Sequence, residues 1–122
     1  DEMEQNEKEL FFNLHKASWN EKVKISDQFT LCKQQEFLEK RAALNAIDIV
    51  YFDAFAPSAQ PELWSETIFK SINKEMSERG ILVTYCAKGV VKRTLKSSGF
   101  KIEAIPGPPG KREMTRAFVN HE

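Results

Sequence analysis

The chain has 122 residues, enough for one domain with one core, and we expect a single domain over 1–122. Apolar residues make up 41% of the chain and charged residues 30%, and the formal net charge is zero, which excludes a protein that is basic over its whole surface. The sequence shows neither a membrane-length apolar stretch nor a secretion signal, so we expect a cytoplasmic protein. Cys32 and Cys86 lack metal-ligand spacing and lie in apolar runs, which predicts two buried thiols and no metal.

The first half of the chain predicts alternating helices and strands. Leu10, Phe11 and Leu14 form an inward stripe on the first helix. Ile47–Phe52 is an unbroken apolar run, which favours a central strand covered on both faces. The predicted elements are a helix over Glu4–Ala17, a short edge strand around Val23 and Ile25, a strand over Phe29–Lys33, a helix over Gln34–Leu44 and the strand Ile47–Phe52.

The second half predicts a helix that opens at Pro61, is capped by Ser65 and ends at Gly80 in a left-handed conformation. Its inward stripe comprises Ile68, Phe69, Ile72 and Met76. The remaining predicted elements are a strand over Ile81–Cys86, a basic helix over Lys88–Ser98 packed through Val90, Val91 and Leu95, a strand over Phe100–Ile105 with Phe100, Ile102 and Ala104 alternating, and a strand over Thr115–Asn120. This order is typical of an open α/β sheet, in which ligands bind beyond the carboxyl ends of the strands.

Asp53 is the candidate of greatest interest, because a buried strand ends on it and a stiff aromatic loop follows. Small residues leave space beside the backbone, prolines restrict the loop, and Phe55 and Trp64 offer flat apolar walls. A carboxylate in such surroundings suits a cationic or amine ligand. The alternative interpretation is a helix N-cap or a turn acid.

The segment from Cys86 to Arg116 carries eight lysines and arginines against two glutamates. Within it, the loop Gly107–Glu113 combines glycines that admit a close backbone approach with Lys111 and Arg112, which suit phosphate. It lacks the spacing of a Walker loop. The alternatives are a proline-rich crossover for the loop and a solvated outer face for the basic helix. A glycine-rich dinucleotide turn is absent near the N-terminus.

Three segments together resemble one known family: DIVYFDAFAPSAQPELW, ILVTYCAKGVVKRTLKSSGF and PGPPGKREM. They are similar to the MnmC-type methyltransferase domain, which uses S-adenosylmethionine to methylate the aminomethyl group on the wobble uridine of bacterial tRNAs. Ala54 stands where many members have glycine, and Lys33-Gln34-Gln35 stands where many carry Gly-Asp. The resemblance covers nearly the whole chain but only the C-terminal part of the family domain.

The resemblance implies the C-terminal part of a Rossmann-like class I methyltransferase sheet flanked by helices, with Asp53 as the catalytic residue. It implies cofactor binding through Asp53, Ala54, Phe55 and Pro57, and it implies substrate or tRNA binding through Trp64, Lys88, Gly110, Lys111, Arg112 and Glu113. An alternative is a non-catalytic RNA-binding or interaction module derived from that fold, and a third is a structural fragment without activity of its own.

Two expectations follow from the part of the family domain that the chain matches. The family's glycine-rich turn is absent, so we expect this chain alone to bind S-adenosylmethionine weakly or not at all. Without the family's first two strands, Phe29–Lys33 must pair elsewhere, lie at an edge or swap into a neighbour. Ile47–Phe52 then exposes an apolar edge, which predicts a homodimer.

Overall fold

The computed structural model describes residues 2–110 and 113–120, and the chain divides into two compact units, Asp1–Phe37 and Leu38–Glu122. The first unit contains helix α1 (Glu2–Lys16) and strands β1 (Lys22–Ser26) and β2 (Phe29–Cys32). The second contains β3 (Ile47–Phe52), α2 (Glu66–Glu75), β4 (Met76–Thr84), α3 (Gly89–Ser97), β5 (Phe100–Pro106) and β6 (Glu113–Val119), with short 3₁₀ turns at Leu38–Lys40 and Pro61–Trp64.

In the first unit, β1 and β2 form an antiparallel two-stranded sheet, so the Phe29 strand finds its partner in β1. The inward stripe predicted for α1 is not buried: Leu10 and Phe11 are exposed and Leu14 is half-buried. The small hairpin of β1 and β2 offers too little apolar surface to cover the apolar stripe of α1. Cys32, predicted to be buried, is exposed, because it lies at the end of this hairpin.

In the second unit the strands run in the order β3-β4-β6-β5, with β3 parallel to β4 and β6 antiparallel to both β4 and β5. Helices α2 and α3 contribute the apolar residues that complete the core. The buried cluster contains Phe52, Trp64, Ile68, Phe69, Ile72, Met76, Leu82, Cys86, Val91, Leu95, Phe100 and Ala117. The predicted burial of Ile68, Phe69 and Ile72 on α2 is confirmed, whereas Met76, the last residue of the predicted stripe, is buried as the first residue of β4. The predicted burial of Cys86 is also confirmed, as is the Ser65 cap, whose hydroxyl accepts a hydrogen bond from the Ile68 amide.

Several sequence predictions are wrong in this unit. Residues Gln34–Leu44 do not form a helix beyond the single turn Leu38–Lys40. The strand Ile47–Phe52 is neither central nor covered on both faces. Among the described residues it is paired only with β4, and one of its faces meets solvent through Ile49 and Tyr51, which are 55% and 79% exposed. Val90 is exposed, because it faces away from the core beside the buried Val91. Ala104 is exposed although it lies on the same face of β5 as the buried Phe100, so the inward face of this strand is covered at one end only.

The predicted left-handed cap at Gly80 is also wrong. Helix α2 ends at Glu75, because Met76 adopts an extended conformation and pairs with Ile47. The register then shifts, so that Ile49 faces Ile81 and the segment from Met76 to Ile81 forms a bulge. Gly80 lies inside this bulge, where an added Cβ would lie 2.9 Å from Met76 Cε and 3.0 Å from the Ser77 carbonyl oxygen. The glycine is required by close packing and not by a positive φ.

Candidate functional site

The carboxyl ends of β3 and β4 meet at one edge of the sheet, as the sequence predicts for parallel strands. Phe52 pairs with Thr84, so Asp53 and Tyr85 leave the sheet side by side. Strand β6 begins at the same edge, because Thr84 pairs with Thr115. This convergence brings together the loops that follow β3 and β4 and the start of β6.

Asp53 lies beside a cavity of about 380 Å³, within the size range of small-molecule sites. Its side chain is exposed, and within 2–110 and 113–120 no residue makes a hydrogen bond or ion pair with the carboxylate. It is not a helix cap, because Gln60 precedes the next 3₁₀ turn and Ser65 caps α2. The cavity is lined by Leu38, Arg41, Leu44, Ile47, Val50, Tyr51, Phe52, Asp53, Ala54, Ile72, Glu75 and Met76.

The loop after Asp53 is held by hydrogen bonds to its backbone. The Tyr85 hydroxyl donates to the Ala54 carbonyl at 2.8 Å, and Trp64 Nε1 donates to the Phe55 carbonyl at 2.7 Å. The Phe55 ring itself is 73% exposed, and Pro57 is half-buried. The backbone of this loop is therefore fixed while the Asp53 and Phe55 side chains face solvent.

Trp64, which the resemblance implies to be a substrate- or tRNA-binding residue, is buried and offers no free ring face on which a base could stack. Its indole is only 5% exposed and packs edge-to-face on Phe52, with ring centroids 5.0 Å apart. Both faces are therefore occupied by the core, and the ring cannot stack on a base without unpacking. One part of it does reach a shallow apolar cleft with Pro57, Pro61 and Val90, so a wall function stays a prediction.

Sequence reasoning missed an ion pair in the cavity wall. Arg41 Nη1 donates to Glu75 Oε1 at 2.8 Å, and a second short hydrogen bond joins Arg41 Nη2 to Glu75 Oε2. The two side chains are 15% and 13% exposed. A bidentate guanidinium–carboxylate pair fixes both partners, so the mainly apolar cavity wall includes one rigid polar pair. The residues are 34 positions apart in sequence, and no local pattern connects them.

The basic residues predicted to bind phosphate differ in how the structure places them. Lys88 is exposed and immediately precedes α3. Lys92 Nζ lies 2.7 Å from Glu113 Oε1, so this lysine of the basic helix holds the start of β6 instead of facing solvent. Gly110 is exposed at a φ of 91°, a conformation that favours glycine. The predicted phosphate-binding residues Lys111 and Arg112 lie outside the described residues.

Comparison with known proteins identifies the class of protein to which this sheet and cavity belong. A sequence model described as "S-adenosyl-L-methionine-dependent methyltransferase" matches residues 3–120. The chain therefore belongs to this family, whose cofactor is S-adenosylmethionine, and its α/β fold is that of the Rossmann-like methyltransferases.

Two curated relatives carry the name tRNA 5-methylaminomethyl-2-thiouridine biosynthesis bifunctional protein MnmC. The protein from Marinomonas sp. (strain MWYL1) is 41% identical over 80 residues, which is 65% of this chain and 12% of that protein. The protein from Burkholderia mallei (strain SAVP1) is 47% identical over 64 residues, 52% of this chain and 10% of that protein. The matched part of the chain thus covers about a tenth of the length of these relatives.

A solved structure is similar over most of the chain. MNMC2 from Aquifex aeolicus superposes with a TM-score of 0.70 at 25% sequence identity, covering 92% of this chain and 38% of that chain. Within the described residues, no helix is long and apolar enough to cross a membrane, and no cluster of His, Cys, Asp or Glu is suited to hold a metal ion.

The polarity and charge of the residues around the cavity suit S-adenosylmethionine, the cofactor of the family. The lining is mainly aliphatic, which suits an uncharged aromatic base, and the exposed Asp53 carboxylate suits a cationic sulfonium. The Arg41–Glu75 pair satisfies its own charges, so it adds no uncompensated charge to the wall. Asp53 therefore supplies the free negative charge of the cavity among the lining residues described.

Proposed function

We propose that this chain is part of an S-adenosylmethionine-dependent enzyme that methylates the aminomethyl group of the wobble uridine in bacterial tRNA. The observation that carries the proposal is the Asp53 carboxylate, which projects from the carboxyl end of a parallel strand beside a 380 Å³ cavity. The names of the MnmC relatives support the tRNA substrate, and a cytoplasmic location follows from it.

The chemistry that this site must support is the transfer of a methyl group to an amine. S-adenosylmethionine, when bound, supplies an electrophilic methyl group on a sulfonium sulfur. Asp53 accepts a hydrogen bond from the incoming amine, turns the nitrogen lone pair towards that methyl group and helps take the proton that methylation releases. The acceptor must be neutral, because an ammonium has no lone pair, so we expect activity to rise with pH until the amine is deprotonated.

The remaining site residues bind the cofactor and the tRNA in this proposal and keep water away from the reacting atoms. Ala54, Phe55 and Pro57 form the cofactor-facing loop in this proposal, since Ala54 lines the cavity beside Asp53 and the other two follow it in the same loop. Lys88, Gly110, Lys111 and Arg112 meet tRNA phosphates in this proposal. Glu113, whose carboxylate would repel a phosphate, supports this surface by holding Lys92 at the start of β6. Binding through such contacts weakens steeply with salt.

The test is the substitution Asp53→Asn in the full-length protein that contains this chain. Asn keeps the size of the side chain but removes its charge and its ability to take a proton. We expect methyl transfer to tRNA, measured by mass spectrometry of the digested nucleosides, to fall by roughly 10²–10⁴-fold. Affinity for tRNA, measured in parallel, is expected to stay unchanged.

Asp48→Asn is the matched control, because Asp48 lies near the opposite end of the same strand and bonds the Ser77 hydroxyl at 2.8 Å. An amide oxygen accepts the same hydrogen bond, so we expect near wild-type activity. Undiminished methyl transfer in the Asp53→Asn protein would remove the proposed role of Asp53. Full tRNA affinity in a wild-type protein that transfers no methyl group would favour the RNA-binding module instead.

A further inference from the structure

The two carbonyl groups that follow Asp53 are each held by an aromatic donor from a different element. Tyr85, just beyond β4, donates its hydroxyl to the Ala54 carbonyl at 2.8 Å. Trp64, in the Pro61–Trp64 turn, donates its indole N–H to the Phe55 carbonyl at 2.7 Å. Because peptide units are planar, fixing two consecutive carbonyls fixes the direction in which the chain leaves Asp53.

The two donors are anchored in the core and in each other. The rings of Trp64 and Tyr85 meet edge-to-face, with centroids 6.1 Å apart. Trp64 is also packed against Phe52 and Phe69 at 5.0 Å and 6.3 Å. A ring enclosed in this way has little rotational freedom, so its N–H or O–H is held in a fixed direction.

Tyr85 remains a donor throughout the neutral pH range. Desolvation, followed by the nearby Cys86 and Asp53 groups, raises the pKa of Tyr85 above its ordinary value of 10.0. A raised pKa keeps the phenol protonated to higher pH, so the hydrogen bond to Ala54 persists under conditions in which an amine is neutral. Asp53 and Tyr85 also follow directly after paired residues, Phe52 and Thr84, so they leave the sheet side by side.

We infer that Tyr85, supported by Trp64, is a positioning residue that sets the orientation of Asp53 through the Ala54 and Phe55 carbonyls. The inference rests on the proposed function, in which the Asp53 carboxylate meets the acceptor amine. Trp64 acts here from within the core and not as a surface on which a base stacks. Its indole links the turn Pro61–Trp64 to the loop after Asp53.

The experiment uses Tyr85→Phe in the full-length protein. Phenylalanine keeps the edge-to-face contact with Trp64 and loses only the hydroxyl. Since displacing a reacting group by about 1 Å costs up to about 10²-fold, we expect kcat to fall by roughly tenfold while KM for tRNA and for S-adenosylmethionine stays unchanged. A loss confined to kcat indicates an effect on the reacting geometry and not on binding.

Ser71→Ala is the matched control, because the Ser71 hydroxyl also donates to a backbone carbonyl, that of Ile68, at 2.8 Å, but lies on the exposed side of α2. We expect similar small changes in melting temperature for the two variants and a change in kcat for Tyr85→Phe alone. A fall in kcat that merely follows a loss of folded protein overturns the inference.

A second measurement does not depend on activity. The ¹³C resonance of the Asp53 carboxyl group, identified by its disappearance in Asp53→Asn, is expected to move in Tyr85→Phe and to stay in place in Ser71→Ala. An unmoved resonance, or an unchanged kcat, overturns the positioning role while the proposed function stands. A fully active Asp53→Asn protein instead removes the proposed function, and the inference falls with it.

Discussion

Strands β3 and β4 are neighbours with similar apolar sequences, yet they are supported very differently. Strand β4 is paired with β3 on one side and β6 on the other, and Leu82 at its centre is fully buried. Strand β3 has a partner on one side only among the described residues, and Ile49 and Tyr51 are exposed. The proposed reacting group, Asp53, follows the less supported strand.

The difference explains how the loop after β3 is held. Because β3 contributes little rigidity of its own, the donors that fix the loop come from better packed elements. Tyr85 follows the doubly paired β4, and Trp64 lies in the core cluster. Residues from the well-packed part of the unit thus fix the loop that follows the edge strand β3.

The largest expected difference between the two regions is in stability. Phe69→Ala removes a fully buried ring and is expected to lower the free energy of unfolding by about 3–5 kcal/mol. Ile49→Ala on the exposed face of β3 is expected to cost less than about 1 kcal/mol, because the side chain already meets solvent. Urea unfolding followed by circular dichroism measures both, and equal losses would contradict the distinction.

A smaller effect is expected in self-association through the free edge of β3. If this 122-residue chain forms the predicted homodimer, Ile49→Lys brings like charges together across the contact. Like charges facing each other cost several kcal/mol, so we expect the dimer to dissociate at least about tenfold more readily in sedimentation equilibrium.

Val90→Lys is the control for that substitution, because Val90 is an exposed apolar residue on α3, away from the β3 edge. It is expected to leave association unchanged. A wild-type chain that stays monomeric at every concentration would count against the homodimer, as would an equal effect of the two lysines.

The smallest expected effect is on the pH dependence of stability, through the Glu66 carboxylate at the start of α2. The Glu66 carboxylate accepts hydrogen bonds from Lys70 and Ser97, and these, with the charge of Lys70, lower its pKa below 4.5. A folded-state pKa below the unfolded value stabilises the protein above pH 4.5, and this stabilisation is lost as pH falls through the folded pKa.

Glu66→Gln should therefore lower the urea midpoint slightly at neutral pH, and the difference from wild type should vanish in acid. Glu62→Gln, at another exposed glutamate, serves as the control. A difference that grows on acidification would contradict the assigned direction of the pKa change.

The sequence was sufficient to place Asp53 beyond a strand, beside the end of the neighbouring strand. Apolar runs identify strands, and the connection through a helix makes β3 and β4 parallel. Burial of the run Ile47–Phe52 was not predictable in the same way, because it depends on which elements pack on the faces of the strand and which strands pair with its edges. The same apolar residues suit the centre of a sheet or its edge.

The misplaced end of α2 has a local cause. Met76 continues the apolar helical spacing of Ile68 and Ile72, but its backbone is extended and pairs with Ile47. A long-range strand contact therefore outweighs the helical pattern. The hydrogen bond from Tyr85 to Ala54 joins residues 31 positions apart, and only the aromatic residue beyond the strand end hints at it in the sequence.

The bulge around Gly80 sets the register at which the carboxyl ends of β3 and β4 meet, where Phe52 pairs with Thr84. From Ile47 to Ile49 the chain advances two positions on β3, while β4 advances from Met76 to Ile81 before the pairing resumes. The extra residues of β4 are accommodated in the bulge, so the longer β4 still pairs with the shorter β3 at both ends. A deletion inside the bulge is expected to shift Thr84 relative to Phe52 and to carry the Tyr85 hydroxyl away from the Ala54 carbonyl, so the length of the bulge helps to place this donor.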